Sequence, residues 1–135
     1  MRASVCLATY QLLSSLTTVA AETVRYEPSV TTLRGKVVLE SFAGPPNFES
    51  VAAGDSLERH WILKLGHPVK VAATHNDPTE VSYEQVREIQ LVCRAGCRQQ
   101  FGFVEGKTET LVGTLYPAIS AQHHKDVLMT VKSKR

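Results

Sequence analysis

Five segments with β-type alternation, separated by turn residues, constrain the fold of this chain more than any other feature. In the second segment Trp61, Leu63 and Leu65 share one face of a strand. Residues 80–87 fit a helix or an extended lead-in equally, and residues 22–32 leave room for one short edge strand. The five segments are 33–42, 58–65 with an extension at 69–73, 81–92, 108–116 and 126–132. The pattern predicts a mostly β domain.

One helix candidate lies between the third and fourth segments. Residues 96–105 place Phe101 and Val104 three apart, and Gly106 is a suitable helix stop. Five strands, a long loop after the first, and one short helix between strands 3 and 4 are the element order of a small five-stranded OB-like Greek-key barrel. That barrel is the predicted fold, and a generic β-sandwich is the alternative. A chain of 135 residues can bury its core as one domain.

The first twenty-one residues have the order of a secretory signal. Arg2 gives a basic start, an apolar middle follows, and Val19 and Ala21 stand at positions −3 and −1 of a cut after Ala21. We therefore predict a signal peptide at residues 1–21 and one OB-like domain at 22–135. A buried N-terminal helix is the alternative, because the middle is rich in Ser and Thr. The predicted location is periplasmic or secreted, without stable membrane insertion after cleavage.

The net charge of the mature chain bears on its partners. Without Arg2 the 15 basic residues become 14, against 13 acidic ones, which leaves a net charge of +1. Nucleic-acid-binding domains usually carry a clear basic excess on one face. We therefore predict no nucleic-acid partner. The basic end formed by Lys132, Lys134 and Arg135 is interpreted as a solvated terminus.

Two cysteines, Cys93 and Cys97, remain after the predicted cleavage. In an oxidising compartment such a pair can close a short loop from a strand end to a helix start, so we predict a disulfide between them. Their spacing differs from the Cys-x-x-Cys of thiol oxidoreductases. The predicted role is therefore structural.

Two polar loops form the candidate ligand site. OB barrels usually meet ligands at the loop joining strands 1 and 2 and the loop joining strands 4 and 5, which are residues 44–55 and 117–125 here. Consecutive prolines stiffen the chain, an aromatic side chain can anchor a ligand, and an asparagine offers both donor and acceptor. The alternative is a self-packed loop. The predicted ligand-binding residues are Pro45, Pro46, Asn47, Phe48, Asp55, His123 and His124.

The histidines of the chain offer a second site chemistry. His123 and His124, with His60 or His75, are a possible transition-metal set, because imidazole suits zinc, copper and nickel. Adjacent residues on an extended chain point to opposite faces, so a solvated loop pair is favoured and neither a metal nor a cofactor is predicted. No zinc-protease helix, nucleophile signature or phosphate-binding glycine loop is present. We predict no catalytic residues and no enzyme, with a small hydrolase left open.

Several short sequence motifs occur together in this chain. They are Phe42-Ala43-Gly44-Pro45-Pro46-Asn47-Phe48-Glu49-Ser50-Val51, Gly54-Asp55, Trp61, Pro68, Ile89-Gln90-Leu91, Gly113-Thr114-Leu115 and His123-His124. Together they resemble a family of small exported bacterial domains of unknown function, over nearly the whole mature chain. The resemblance implies export and a compact domain, and it assigns no catalytic residue.

These features together predict an exported, non-enzymatic binding module that recognises an envelope protein, a peptide or a glycan through the two loops. One alternative is an inhibitor or immunity-type protein that blocks an envelope enzyme. A second alternative is a His-based metal-binding or stress-related periplasmic protein.

Overall fold

Six strands and one short helix make up the regular structure in the described part of the chain. The computed structural model describes residues 11–74 and 76–135. The elements are β1 (Thr23–Arg25), β2 (Val30–Ala43), β3 (Leu57–Ala72), β4 (Tyr83–Val92), α1 (Cys97–Phe101), β5 (Thr108–Pro117) and β6 (Val127–Lys134). The five predicted strands correspond to β2 through β6, and β1 is the short edge strand in the predicted lead-in.

The five long strands close into a barrel. β2 pairs with β3 and β5, β3 also pairs with β4, and β6 joins β5 to β4. All of these pairings are antiparallel except β4 with β6, which is parallel. The edge strand β1 runs parallel to the end of β3. This strand order, with α1 between β4 and β5, confirms the predicted OB-like Greek-key barrel.

The largest differences from the predicted boundaries are in the second strand and in the helix. Residues 66–68 were expected to interrupt the second strand, but β3 continues through them, with an irregular register between Lys64 and Val69. A bulge accepts the extra residues without ending the strand. The helix was predicted over residues 96–105 and covers only Cys97–Phe101. Gly102 adopts the left-handed conformation and donates its N–H to the Arg98 carbonyl oxygen, which ends the helix four residues before Gly106.

The barrel interior is filled by alternate residues of the strands. Leu63, Ile89 and Leu115 are fully buried there. Trp61 packs against this core, as its alternation with Leu63 predicts, and its ring meets Phe103 edge to face at 5.6 Å. Because strand side chains alternate between faces, the neighbours of these core residues lie on the outer surface of the barrel.

The disulfide between Cys93 and Cys97 is present, which confirms that prediction. It joins the end of β4 to the first residue of α1. Cys97 is buried against the core and Cys93 packs on it. A bridge that closes so short a loop fixes the local turn more than it stabilises the whole fold.

The segment before the barrel contains part of the predicted leader. Residues 11–21 have no regular secondary structure and are exposed, whereas residues 1–10 lie outside the described residues. The signal peptide therefore stays a prediction. In the described part of the chain, no helix is both long enough and apolar enough to cross a membrane.

Candidate functional site

The candidate site lies on the outer face of the barrel, where β2 ends and β3 begins. Phe42 pairs with Glu58 across the two strands, and Glu40 pairs with His60. All four side chains point away from the core, because Trp61 and its alternating partners fill the inner face. Aromatic, imidazole and carboxylate groups are thus collected on one surface.

The first loop, defined as residues 44–56, connects β2 to β3 beside this face. Pro45, Pro46 and Asn47 are exposed, and Phe48 is half-buried. Phe48 has a φ of 58°, a left-handed conformation that is uncommon for an aromatic residue. The loop therefore holds Phe48 in a strained backbone conformation next to three exposed residues.

Asp55 organises the first loop from within. Its carboxylate oxygens accept backbone N–H groups of Asn47 at 2.9 Å, Glu49 at 2.8 Å and Ser50 at 2.9 Å. These hydrogen bonds, led by those from Ser50 and Glu49, hold the pKa of Asp55 below its ordinary value of 3.8. The side chain is only 5% exposed. The direct contact with a ligand that the sequence predicts for Asp55 stays a prediction, whereas its part in shaping the loop is visible.

The second loop, defined as residues 118–126, connects β5 to β6 and folds over the outer face of β4. Gln90 of β4 is buried there and makes two hydrogen bonds with the loop. Its side-chain nitrogen donates to the Gln122 carbonyl oxygen at 3.1 Å, and its oxygen accepts the His124 backbone N–H at 2.7 Å. One buried amide therefore sets the path of the loop.

The two adjacent histidines of the second loop have different environments. His123 accepts the Ile119 backbone N–H on Nδ1 at 3.0 Å, and its ring meets Tyr116 edge to face. Burial, followed by the nearby His124 and His60, lowers the pKa of His123 below 6.5. His124 points instead toward β3. The predicted divergence of neighbouring side chains is thus realised within this loop.

His124 completes a cluster with Glu58 and His60. Glu58 Oε2 lies 3.1 Å from Nε2 of His60 and 3.1 Å from Nε2 of His124. These hydrogen bonds, led by the one to His124, lower the pKa of Glu58. The side chains of Glu58, His60 and His124 are 20%, 27% and 12% exposed, so the cluster is partly open to solvent.

Aromatic rings support the cluster from the side. The Phe42 ring stacks on the His124 imidazole with centroids 4.3 Å apart and an angle of 10° between the planes. Phe48 of the first loop reaches the same imidazole at 6.5 Å. His124 is therefore held between β2 and the first loop.

Lys125 brings a positive charge to the edge of the same face. Its Nζ lies 2.7 Å from Glu88 and 3.4 Å from Glu40, and 5.6 Å from the centre of the Phe42 ring. Burial disfavours the charged ammonium, but the hydrogen bond to Glu88 and the charge of Glu40 outweigh this effect and raise its pKa. Lys125 thus fastens the second loop to the outer surfaces of β2 and β4.

The structure brings some of the predicted site residues together and separates others. Phe48 and His124 meet, and His123 turns toward Ile119. Pro45, Pro46, Asn47 and Asp55 lie with Phe48 in the first loop. His75 lies outside the described residues. Sequence reasoning did not select the strand residues Phe42, Glu40, Gln90 and Glu58, and it named His60 only as a possible metal ligand with His123 and His124. The signal for the pair of Glu58 and His60 was available, because the two residues are two apart in a predicted strand and share a face.

Comparison of the chain with protein-family models, with curated proteins and with solved structures found no match. Membership of the family of small exported domains therefore stays a prediction.

Proposed function

We propose that this protein is an exported binding module that recognises a protein, a peptide or a glycan with the outer face between the two loops. The observation that carries the proposal is the meeting of Phe48 with His124, from loops far apart in the sequence, on one partly open surface. OB barrels commonly use the equivalent strand face and loops for ligands.

The first loop is suited to recognition because its shape is set before any ligand binds. Asp55 ties three backbone groups, and Gly44 and Ser56 close the base through a 2.7 Å hydrogen bond. Pro45 and Pro46 further restrict the backbone. A loop that is already ordered loses little conformational entropy on binding, which favours affinity.

The chemistry of the face favours a neutral or polar ligand over nucleic acid. Glu40, Glu58 and Glu88 line it, with Lys125 as the cation paired to two of them. Three carboxylates would repel a phosphate backbone. The half-buried Phe48 ring, next to the exposed Asn47 amide and the partly open imidazoles, suits a peptide or a sugar.

Export is part of the proposal. The signal-like residues 1–21, the resemblance to small exported domains and the disulfide at Cys93 and Cys97 all support it, since disulfides persist mainly outside the cytosol. We accordingly propose a periplasmic or secreted location. The exposed, stiff first loop equally suits an inhibitor of an envelope enzyme, and the identity of the partner distinguishes the two roles.

The test is affinity capture from an envelope extract. The bait is the chain as isolated after export, compared with a variant carrying Asn47→Ala and Phe48→Asn. Asparagine tolerates the left-handed backbone at position 48, so the variant removes the aromatic ring without adding backbone strain. Asn76→Ala is the matched control, because Asn76 is exposed in the connection at the other end of β3.

We expect one protein or glycan to be retained by the parent and by Asn76→Ala, and lost by the double variant. An enzyme held in equal amounts and inactivated would indicate the inhibitor role. Retention of the same set by all three baits, or of nothing by any of them, would contradict recognition by this face.

A further inference from the structure

We propose that Glu58, His60 and His124 form a binding site for a divalent transition-metal ion of the zinc type. One potential ligand atom from each residue lies within 4.8 Å of the other two. This is the one such group of three among the residues that the structure describes. The inference goes beyond the proposed recognition of an organic ligand and does not depend on it.

The spacing of the three atoms is close to that of a metal site. Metal–ligand bonds of about 2.0–2.2 Å at tetrahedral angles put ligand atoms about 3.3–3.5 Å apart. Glu58 Oε2 is 3.1 Å from each of the two Nε2 atoms. The separation between the ligand atoms of His60 and His124 is at most 4.8 Å, and rotation of an imidazole ring about its side-chain bonds can adjust it.

The donor set determines the class of metal. Two imidazoles and one carboxylate suit zinc and its neighbours, whereas magnesium and calcium prefer oxygen ligands alone. Each Nε2 donates its hydrogen to Glu58 Oε2 in the metal-free protein, so this hydrogen has to move to Nδ1 or leave to solvent before Nε2 binds a metal. The carboxylate of Glu58 then contributes the one negative charge of the set.

Neighbouring residues hold the three ligands in place. Phe42 stacks on His124, and the strand pairing of β2 with β3 fixes the stems of Glu58 and His60. Gly44 is buried next to Glu58, where an added Cβ would lie 2.6 Å from the Glu58 Cγ. A glycine at this position leaves the glutamate side chain the room to reach both imidazoles.

A free carboxylate oxygen lies beside the site. Glu40 pairs with His60 across the two strands, and its Oε2 is buried without a hydrogen-bond partner among the described residues. Metal-ligating histidines and metal-bound water commonly donate to such a carboxylate. Glu40 therefore provides an acceptor that the protein itself leaves unused.

The cluster differs from the histidine set that the sequence suggests. His123 is occupied with the Ile119 backbone, so the adjacent pair does not act together. His60, which the sequence already offered as a ligand, stays with His124, and Glu58 takes the place of His123. Three protein ligands leave at least one coordination position for water or for a donor atom of a ligand.

The test is a titration of the full chain with Zn²⁺ alone, followed by calorimetry. Every protein carries Cys6→Ser and no histidine tag, so that the one cysteine outside the disulfide cannot bind the metal. The variants are Glu58→Gln, His60→Gln and His124→Gln. The matched control is His67→Gln, which changes an exposed histidine outside the cluster.

We expect one Zn²⁺ per chain, with affinity at least tenfold weaker in each of the three variants and unchanged in His67→Gln. Glu58→Gln preserves the side-chain shape, and thermal unfolding without metal verifies that each variant is folded. Co²⁺ in place of Zn²⁺ should give the visible bands of a four-coordinate ion in the parent and lose them in the variants. Absence of stoichiometric binding by the parent, or equal affinity in the parent and Glu58→Gln, would overturn the site. These results do not depend on whether the capture experiment finds a partner.

Discussion

The two loops that border the candidate site are held in contrasting ways. The first loop, residues 44–56, is tied to itself, because Asp55 binds backbone groups five to eight residues earlier in the chain. The second loop, residues 118–126, is tied to distant strands. Gln90 and Glu58 contact it across 32 to 66 residues of sequence.

The difference determines whether the conformation of a loop depends on the rest of the fold. A loop closed by its own hydrogen bonds keeps its shape wherever the barrel places it. A loop held by distant strands exists in its observed form only after the barrel has closed, since those contacts depend on long-range pairing. The site therefore combines a locally folded half with a half that depends on the whole fold.

Removing the charge of Asp55 is the most direct way to break the self-contained loop, and we expect the largest effect from it. In Asp55→Asn the amide has one acceptor oxygen where the carboxylate had two, so the backbone N–H groups of residues 47, 49 and 50 lose partners. Their hydrogen exchange should become at least tenfold faster, while residues 118–126 keep their protection. Asp77→Asn is the control, because Asp77 caps an unrelated turn at Thr79. Equal protection of these amides in Asp55→Asn and the parent would contradict the role given to Asp55.

Gln90→Leu tests the opposite half of the comparison. The buried amide satisfies the Gln122 carbonyl and the His124 N–H, so its loss should lower the free energy of unfolding by about 1–3 kcal/mol. Exchange should accelerate in the second loop and not in the first. Gln85→Leu, at an exposed position of the same strand, should change stability by less than about 0.5 kcal/mol. Chemical denaturation checks both values, and a similar loss in the two variants would indicate that Gln90 does not anchor the loop.

Acidification should affect the second loop and not the first, and we expect this effect to be the smallest of the three. The lowered pKa of His123 means that its contribution is complete above about 6.5 and is lost as the pH falls through the lower folded-state value. The contribution of Asp55, whose pKa is also lowered, persists until the pH falls below about 3.8. Between about pH 7 and 5 we therefore expect a less than tenfold rise in exchange, after correction for intrinsic rates, in the second loop alone. His123→Asn, which retains an acceptor for Ile119, should remove that rise.

The fold could be predicted from the sequence because each strand has its own alternation of apolar and polar residues. The alternation of Trp61, Leu63 and Leu65 predicts the inner face of β3, and the helix lies between the strands where the pattern places it. The helix length was wrong, because the left-handed Gly102 ends it early. The predicted interruption of the second strand at Gly66 and Pro68 was also wrong, because β3 continues through these residues with an irregular register.

The site was predicted only in part. Turn residues and consecutive prolines marked the first loop, and a conspicuous histidine pair drew attention to the second. The histidine pair predicts that the two side chains diverge, but neither pattern indicates that His124 meets Glu58 and Phe42. These contacts join a loop to strands that lie far away in the sequence, so no local pattern predicts them.

The sequence by itself determined the order of the strands, the position of the short helix, the Cys93–Cys97 bridge and the two polar loops. These features arise from local alternation, turn chemistry and short spacing, which act within a few residues. Only the tertiary structure decided which side chains share the outer face. The barrel closes by pairing strands that are distant in the sequence. This closure, with the register between β2 and β3, brings one ligand atom each of Glu58, His60 and His124 within 4.8 Å of one another.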